Sequence, residues 1–315
     1  MILIVTSKGD MTADYAILAM QDQRLAYLRF NTEDFPSKVK IRWPLSDGTG
    51  LIEVRGKEPV RLDEVDAVWY RRPVLARLYR SGLSHKPRVF VREEAWQTLQ
   101  SLWGYLDTCV WMSRPRSIAA SSHKLHQLKM ARECGFTVPE SIVSNDVRDL
   151  LDFFDRHSGK VVIKSIQNQT QRVMTDYALF TVRVTRDELT EEACIAPILM
   201  QEEVSKAREL RVTVVGDQVF SCALYSQDHE ETAVDWRRAI SQVRHEATRV
   251  SADLERKLLN MTHDCGLTFG AFDLIETPSG DIVFVELNPN GQWAWIEQMT
   301  QLPIREAILD VLAAR

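Results

Sequence analysis

The alternation of apolar and polar stretches predicts a chain of strands and helices that follow one another. Residues 2–5 form a wholly apolar run, a polar turn follows at 6–10, and helical periodicity begins near Thr12. A second apolar run covers 65–70 and ends at Arg-Arg-Pro, residues 71–73. Short apolar runs bounded by polar turn residues are typical of buried strands in α/β units. The first part of the chain is therefore predicted to be an α/β lobe.

The rest of the chain repeats this alternation and adds a marked hairpin. Helices are predicted at 124–134, 145–157, 254–265 and 304–313, and strands at 161–164, 198–204, 210–215 and 219–223. The pair Gly216-Asp217 favours a tight turn between the last two of these strands. Ser121 or Ser122 is the expected N-cap of the helix that begins at Lys124, and Gly135 is the expected stop after it.

The two strands near the C-terminus are predicted to bring two carboxylates face to face. If residues 279–280 form a two-residue hairpin loop, Asp273 lies opposite Glu286, and Ala271 lies opposite Asn288. Directly opposed Cβ atoms lie about 4.5–5.5 Å apart, so two like charges there destabilise the sheet. Proton sharing, a basic side chain between the carboxylates, or a divalent cation would each relieve this repulsion.

A divalent cation is the alternative that gives this group of residues a function. Asp273, Glu286 and Asn288 all offer oxygen ligands, and Mg²⁺ typically takes one or two carboxylates and completes its shell with water and phosphate oxygens. A carboxylate pair neutralised by Arg or Lys, or a register different from this one, is the competing interpretation.

Charged residues at the ends of other elements favour a nucleotide site. Lys164 ends an apolar strand, Lys124 opens a helix, and Glu202 and Glu203 end another strand. Lysines neutralise phosphates as point charges. Solvated side chains at element ends are the alternative for all four residues. The chain has no GxxxxGK[ST] and no GxGxxG segment, which excludes P-loop and Rossmann nucleotide sites.

Composition narrows the classes of protein further. The formal net charge is −5, which argues against a general nucleic-acid binder. The five cysteines are scattered without a CxxC pair, so neither a disulfide framework nor a zinc knuckle is expected, and a reducing cytosol fits best. The first residues lack the features of a signal peptide, and no apolar run is long enough to span a membrane. A cytoplasmic protein is therefore expected.

The order of these motifs resembles that of the ATP-grasp superfamily, and within it the graspetide maturases, the microviridin-type peptide macrocyclases. The resemblance covers nearly the whole chain, and its most specific segment is VELNPNGQWAWIE at 285–297. The other segments that carry it are VWYRRP (68–73), KLHQLKMARECGFTVPES (124–141), VVIKS (161–165), MQEEVSKARELRVTVVGDQVF (200–220), VDWRR (234–238) and GAFDL (270–274).

The resemblance implies a role for each of the candidate residues. Two lysines would bind the ATP phosphates, and four residues would form the adenine-binding hinge. These residues are Lys124 and Lys164 for the phosphates, and Gln201, Glu202, Glu203 and Val204 for the hinge. Glu209 matches either a ribose-binding acid or part of the core-peptide site, and both assignments stay open. Asp273, Glu286 and Asn288 match the Mg²⁺ ligands, and Arg211 and Arg237 would face the γ-phosphate or an acidic substrate.

The implied fold is an α/β (α+β) ATP-grasp fold of three subdomains, with ATP between the central and C-terminal lobes. The expected lobes are an N-terminal one at 1–115, a central one at 116–200 and a C-terminal one at 201–315. One departure concerns the phosphate loop, which usually contains glycine in this superfamily, whereas residues 165–180 contain none. Backbone N–H groups bind phosphate without glycine as well, although the approach is less free.

The implied activity is ATP-dependent macrocyclisation of a ribosomal precursor peptide. An Asp or Glu side chain of the core would be phosphorylated and then joined to Thr or Ser as an ω-ester, or to Lys as an ω-amide. The expected partner is a precursor with a leader, which would dock near residues 178–184, and an acidic core that contains Thr and Ser. A homodimer is expected from the resemblance alone. The alternatives are another ATP-grasp ligase that adds amino acids to a peptide or protein, and a nucleotide-binding regulatory module without turnover.

Overall fold

The computed structural model describes residues 1–46, 49–75, 78, 82–166 and 180–314. The chain divides into two compact units. One unit contains Met1–Arg116 and the segment from Pro303 onward, and the other contains Ser117–Leu302. The lobe boundaries expected at 115 and 200 stay predictions. The last helix, Ile304–Ala313, belongs to the first unit, although the sequence pattern placed it with the C-terminal lobe.

The first unit is an α/β lobe, as its apolar runs predict. Its elements are β1 (Ile2–Thr6), α1 (Met11–Asp22), β2 (Tyr27–Asn31), β3 (Val39–Arg42), β4 (Leu51–Val54), β5 (Val60–Arg61), β6 (Ala67–Tyr70), α2 (His85–Tyr105) and β7 (Val110–Trp111). The parallel sheet has the order β2-β1-β6-β7, and β3, β4 and β5 form a separate antiparallel sheet. Every residue of β1 and β6 is buried, because both strands lie in the interior of the parallel sheet.

A buried ion pair fixes the turn between β1 and α1. The Arg71 guanidinium donates two hydrogen bonds of 3.1 Å to the Asp10 carboxylate, and both side chains are at most 1% exposed. Asp10 also accepts a hydrogen bond from Ala13 N at the start of α1 and one from the Thr6 hydroxyl. Burial raises the pKa of Asp10, but the charge and hydrogen bonds of Arg71 outweigh it and bring the pKa from 3.8 to about 2.

The second unit carries two antiparallel sheets. Helix α3 (Pro115–Ser121) contains the boundary between the two units, because its first two residues belong to the first unit. The elements that follow it are α4 (Lys124–Glu133), β8 (Ser141–Ser144), α5 (Val147–Arg156), β9 (Val161–Lys164), β10 (Val182–Arg183), β11 (Ile198–Glu202), β12 (Arg208–Val215), β13 (Gln218–Tyr225), α6 (Glu230–Ala233), β14 (Arg244–Thr248), α7 (Ala252–Asp264), β15 (Phe269–Glu276), β16 (Ile282–Asn288) and α8 (Ala294–Thr300). One sheet has the order β10-β9-β11-β8, and the other has the order β14-β13-β12-β15-β16.

Helix α5 covers one face of the smaller sheet of this unit. Leu150 and Phe153 on α5 pack with Val161 on β9 and Met200 on β11 in one buried cluster. The Asp146 side chain accepts a hydrogen bond from Arg148 N at 2.9 Å and so caps the helix. Burial of these apolar side chains, worth about 25 cal/mol per Å² of apolar surface, holds the strand that ends at Lys164 in place.

The C-terminal hairpin has the predicted carboxylate pairing but a different turn. Asp273 is the register partner of Glu286, and Ala271 is the partner of Asn288, which confirms both predictions. The two-residue loop is wrong: Glu276 pairs with Ile282, so the turn is longer. The register shifts between Asp273 and Leu274, where β16 has one extra residue in a β-bulge. This bulge offsets the longer turn and restores the predicted pairing.

The predicted serine N-cap of α4 is also wrong. His123 occupies the N-cap position with an extended backbone, and its side chain makes no capping hydrogen bond. Ser121 ends α3, and the Ser122 hydroxyl donates to the Ile118 carbonyl at 2.6 Å, so both serines serve the preceding helix. Gly135 follows α4 with φ +81°, as expected of a residue that stops a helix. Of the described helices, none is long and apolar enough to cross a membrane.

Replacement of Arg71 by Met should destabilise the first unit, because Asp10 would stay buried without its cation. Removal of one partner of a buried ion pair costs about 3–5 kcal/mol. Because the folded pKa of Asp10 lies below its unfolded value of 3.8, the pair stabilises the protein above that pH and loses its contribution as the pH falls towards 2.

Urea unfolding at pH 7 and at pH 3 measures both effects. Arg61→Met is the matched control, since Arg61 pairs with Asp63 where both side chains are about half exposed and such pairs contribute little. Equal urea midpoints for Arg71→Met and Arg61→Met would contradict the importance of the buried pair.

Candidate active site

One cleft in the second unit gathers most of the charged residues that the sequence singled out. Its empty volume is about 900 Å³ when space open to solvent is included. The charged residues that line it are Lys124, Lys164, Glu202, Glu203, Lys206, Glu209, Asp235, Arg237, Asp273 and Glu286. Both sheets of this unit contribute, so the cleft depends on strand ends and not on one local motif.

The two predicted phosphate lysines lie in this cleft. Lys124, the first residue of α4, donates a hydrogen bond of 2.9 Å from Nζ to the Ser165 carbonyl, and its Nζ lies 3.7 Å from a Glu286 carboxylate oxygen. Lys164 ends β9. Burial and the charges of Lys124 and Lys206 lower the pKa of Lys164, the charge of Glu286 opposes them, and the net result is a pKa of about 8. Several cations thus share one space, which favours an anionic ligand such as phosphate.

Each carboxylate of the pair has a basic side chain beside it, which is one of the alternatives to a metal ion that the sequence left open. Arg211 donates from Nη1 to Asp273 Oδ1 at 2.9 Å, and Lys124 approaches Glu286. The two carboxylate side chains nevertheless remain 28% and 22% exposed in the cleft. Asn288 lies two residues further along β16 than Glu286, and its side-chain oxygen accepts a hydrogen bond from Asn290 N at 3.1 Å.

The chemistry of these donors fits Mg²⁺. No group of three His, Cys, Asp or Glu side chains in the described ranges is arranged to hold a metal ion, so the site offers two carboxylates and one amide oxygen. Mg²⁺ needs few protein ligands, because water and phosphate oxygens complete its octahedral shell. The partial exposure of Asp273 and Glu286 leaves room for those additional ligands.

The predicted hinge is divided between structural and cleft-lining residues. Glu202, Glu203 and Val204 line the cleft. Gln201 is buried, and its side-chain Nε2 donates to the Ser141 hydroxyl at 2.8 Å, so its side chain joins two strands. The Glu203 carboxylate accepts hydrogen bonds from both Nε and Nη2 of Arg183. A hinge of this kind would bind a base mainly through its backbone groups.

Glu209 lies in the same cleft as the hinge. Burial raises the pKa of Glu209, and the ammonium group of Lys206, which donates to Glu209 Oε1 at 2.8 Å, opposes that rise. Lys206 also donates to the Val234 carbonyl at 3.0 Å, and the sequence reasoning missed this lysine. Its position five residues after Gln201, within a motif rich in charge, was the signal that could have revealed it.

Asp235 is the second functional candidate that the sequence reasoning missed. Its carboxylate is 4% exposed, accepts a hydrogen bond from Thr181 N at 2.9 Å, and pairs with the Arg237 guanidinium. The guanidinium carbons of Arg237 and Arg238 lie 5.9 and 5.4 Å from the Phe180 ring centre. Asp235 therefore orients Arg237 in the cleft and ties its loop to the backbone at residue 181. The polar loop predicted at 167–172 and the start of the strand predicted at 178–184 lie outside the described residues.

Comparison with known proteins agrees with this architecture over the whole chain. Residues 1–119 match the MvdD pre-ATP grasp domain, and residues 121–312 match the RimK-like ATP-grasp domain. Macrocyclase MdnC of Microcystis aeruginosa MRC, bound with precursor peptide MdnA, is 28% identical, with 99% of each chain covered and a TM-score of 0.87. No curated protein matches the chain.

Two further solved structures are similar. The RiPP-associated ATP-grasp ligase of Chryseobacterium gregarium, in complex with ADP and a leader and core peptide, is 28% identical with a TM-score of 0.85, and the match covers 99% of this chain and 96% of that chain. Macrocyclase MdnB of Microcystis aeruginosa MRC is 29% identical with a TM-score of 0.82, with 100% and 99% of the chains covered.

Fold and cleft together define an ATP-dependent ligase of the ATP-grasp class, which confirms the predicted fold. Because the match at 121–312 covers more than half of its residues, the chain belongs to the RimK-like ATP-grasp domain family. The predicted ATP and Mg²⁺ are the cofactors of this family. The roles of the individual site residues stay predictions.

Titration of Lys164 tests the electrostatics of the cleft in the ligand-free protein. The folded pKa near 8 lies below the ordinary lysine value of 10.5, so unfolding takes up a proton between these pH values and the folded state gains stability as the pH rises through that window. Dimethylation of amines with ¹³C label, followed by NMR titration, should show one lysine resonance that titrates near pH 8, in addition to the signal of the N-terminal amine.

Lys164→Met should remove that resonance, and Lys57→Met, a change at an exposed turn, should leave it in place. A resonance assigned to Lys164 that titrates above pH 10 would contradict the crowding of cations in the cleft.

Proposed function

We propose that this protein is an ATP-dependent macrocyclase that joins side chains of a ribosomal precursor peptide. The observation that carries the proposal is the pairing of Asp273 and Glu286 in a cleft that also contains Lys124 and Lys164. Such a cleft suits the activation of a carboxylate by ATP. Support for a peptide substrate comes from the similarity to MdnC, bound with precursor peptide MdnA, over 99% of both chains.

In this proposal the chain's own residues bind and orient the nucleotide. Lys124 and Lys164 neutralise phosphate charge, and the backbone of 202–204 binds the base. In this proposal Glu209 holds ribose hydroxyls, and the core-peptide assignment stays the alternative. Mg²⁺, held by Asp273, Glu286 and Asn288, would spread the charge that develops on the transferred phosphoryl group.

The reaction proceeds in two steps that need no covalent bond to the enzyme. A carboxylate oxygen of an Asp or Glu in the peptide attacks the γ-phosphorus of ATP, and ADP leaves, which gives an acyl phosphate. A Thr or Ser hydroxyl of the same peptide then attacks the acyl carbon, loses its proton and expels phosphate, which gives an ω-ester. A Lys amine in place of the hydroxyl would give an ω-amide.

The two arginines differ in what they can do in these steps. Arg237 lines the cleft, and Asp235 orients it, so it can grip an anionic oxygen of the peptide or of the phosphate. The Arg211 side chain is only 6% exposed and donates to Asp273. We therefore assign Arg211 an action through Asp273, which holds that carboxylate in place for the cation.

The proposed partner and compartment follow from the same comparison and from the cysteines. The partner is a precursor peptide with a leader and an acidic core that contains Thr and Ser. All five cysteines are free, which supports a reducing compartment such as the cytoplasm. The homodimer and the leader site near 178–184 stay predictions.

Co-expression with a candidate precursor, followed by mass spectrometry, tests the proposal. The candidate is a short peptide encoded beside the gene, with a core rich in Thr or Ser and in Asp or Glu. The proposal predicts the loss of one water per ring, reversed by mild base for an ω-ester and resistant to base for an ω-amide. An unchanged mass in the presence of ATP and the intact peptide would contradict macrocyclisation and favour a ligase with another acceptor.

A pair of matched variants shows whether any product depends on the cleft. Glu286→Gln should reduce product formation at least 100-fold, because it removes one charge from the proposed metal site. Glu246→Gln changes an exposed residue of the same sheet that bonds to Arg244 and Tyr225, and it should leave product formation within twofold of the wild type.

A further inference from the structure

Gly291, in the turn after β16, lies against the Arg211 side chain. A Cβ atom added at this position would lie 2.5 Å from the Ala271 Cβ, 2.6 Å from Arg211 Nη2 and 3.5 Å from the Asn288 Cβ. Real Cβ atoms essentially never approach another heavy atom to less than 3.0 Å, so a side chain here forces a movement. Its φ is outside the left-handed region, so the requirement for glycine is one of space.

The guanidinium group of Arg211 is held by Asp273 on β15 and by the backbone that follows Gly291. Nη1 donates to Asp273 Oδ1 at 2.9 Å, and Nη2 donates to the Gln292 carbonyl at 3.2 Å. The planar guanidinium presents these donors in a fixed geometry, so a shift of one contact disturbs the other. Residues 291 and 292 thus supply both the space and the acceptor that place Arg211 against Asp273.

We propose that Gly291 is a positioning residue, which acts on the reaction by letting Arg211 lie flat between Asp273 and Gln292. The effect on turnover rests on the function proposed above, whereas the placement of Arg211 does not. Of the two atoms nearest to an added methyl group, the Ala271 Cβ belongs to an inner strand of the sheet, where Ala271 pairs with Thr213 and with Asn288. The end of the Arg211 side chain is held by two hydrogen bonds and not by the backbone of a strand, so the added methyl group would displace it.

A double-mutant cycle isolates this effect. Gly291→Ala should reduce the turnover number for peptide macrocyclisation at least tenfold and leave the affinity for ADP without peptide within threefold. In an Arg211→Lys background, which lacks Nη2, the same substitution should change turnover by less than threefold. Equal effects of Gly291→Ala in both backgrounds would overturn the proposal, because Gly291 would then act independently of Arg211.

A third variant separates the two close contacts. Ala271→Gly combined with Gly291→Ala removes the clash with Ala271 and keeps the one with Arg211, so turnover should stay low. Recovery to the level of Ala271→Gly alone would overturn the proposal, because the clash within the sheet would explain the loss. Gly104→Ala, where an added Cβ meets nothing within 4 Å, is the control for a glycine substitution as such.

A spectroscopic measurement keeps the inference testable if no peptide product is found. In protein labelled with ¹⁵N-arginine, the Arg211 guanidinium signals are assigned from their absence in Arg211→Lys. They should shift in Gly291→Ala and stay unchanged in Gly104→Ala. Unchanged Arg211 signals in Gly291→Ala would overturn the positioning role, whereas shifted signals without any product would refute only the proposed function.

Discussion

Two carboxylates that share one register position between neighbouring strands are the constraint on which the site depends. Asp273 and Glu286 would repel each other in the partly buried cleft, and the cations around them offset that repulsion. Arg211 and Lys124 approach them directly, and Lys164 and Arg237 line the same cleft. The cost is visible at Lys164, where burial and neighbouring ammonium groups bring the pKa down to about 8. An anionic nucleotide would reduce the repulsion among the cations, and its metal ion would reduce the repulsion between the carboxylates.

The backbone around the carboxylates is built to keep them in that position. The bulge in β16 places Val285 in the cleft and brings Glu286 back into register with Asp273. The turn after β16 leaves room for Arg211 because residue 291 has no side chain. Asp235 performs a similar task for Arg237 by binding its guanidinium and the backbone of residue 181. Arg211 is thus held by two acceptors, and Arg237 by a carboxylate that is itself fixed by a second contact.

The carboxylate pair could be predicted from the sequence because its evidence is local. A strand alternates its side chains, and a turn between two strands sets the pairing. Even so, the assumed two-residue loop was wrong, and the pairing was correct because the bulge offsets the longer turn by one residue. Lys124 and Lys164 were found in the same way, from their places at the start of a helix and the end of a strand.

The remaining features could not be predicted, because they depend on contacts between distant parts of the chain. Asp235 becomes functional only where its loop meets residue 181, and Lys206 only where its side chain reaches Glu209 and residue 234. Strand β14 is mostly polar and was missed, because its pairing with β13 gives it no apolar alternation to detect. Gln201 was expected to be part of the adenine-binding hinge, but its side chain joins two strands and does not line the cleft.

The most direct test of the account is whether the carboxylate pair holds a divalent cation together with the nucleotide. Electron paramagnetic resonance of Mn²⁺, titrated with protein and ADP, measures this without any peptide. The wild type should bind Mn²⁺ tightly when ADP is present, and Asp273→Asn should weaken that binding at least tenfold. Asp281→Asn, a change in the exposed turn of the same hairpin, should have no effect. Equal Mn²⁺ affinity in Asp273→Asn and the wild type would contradict the proposed role of the pair.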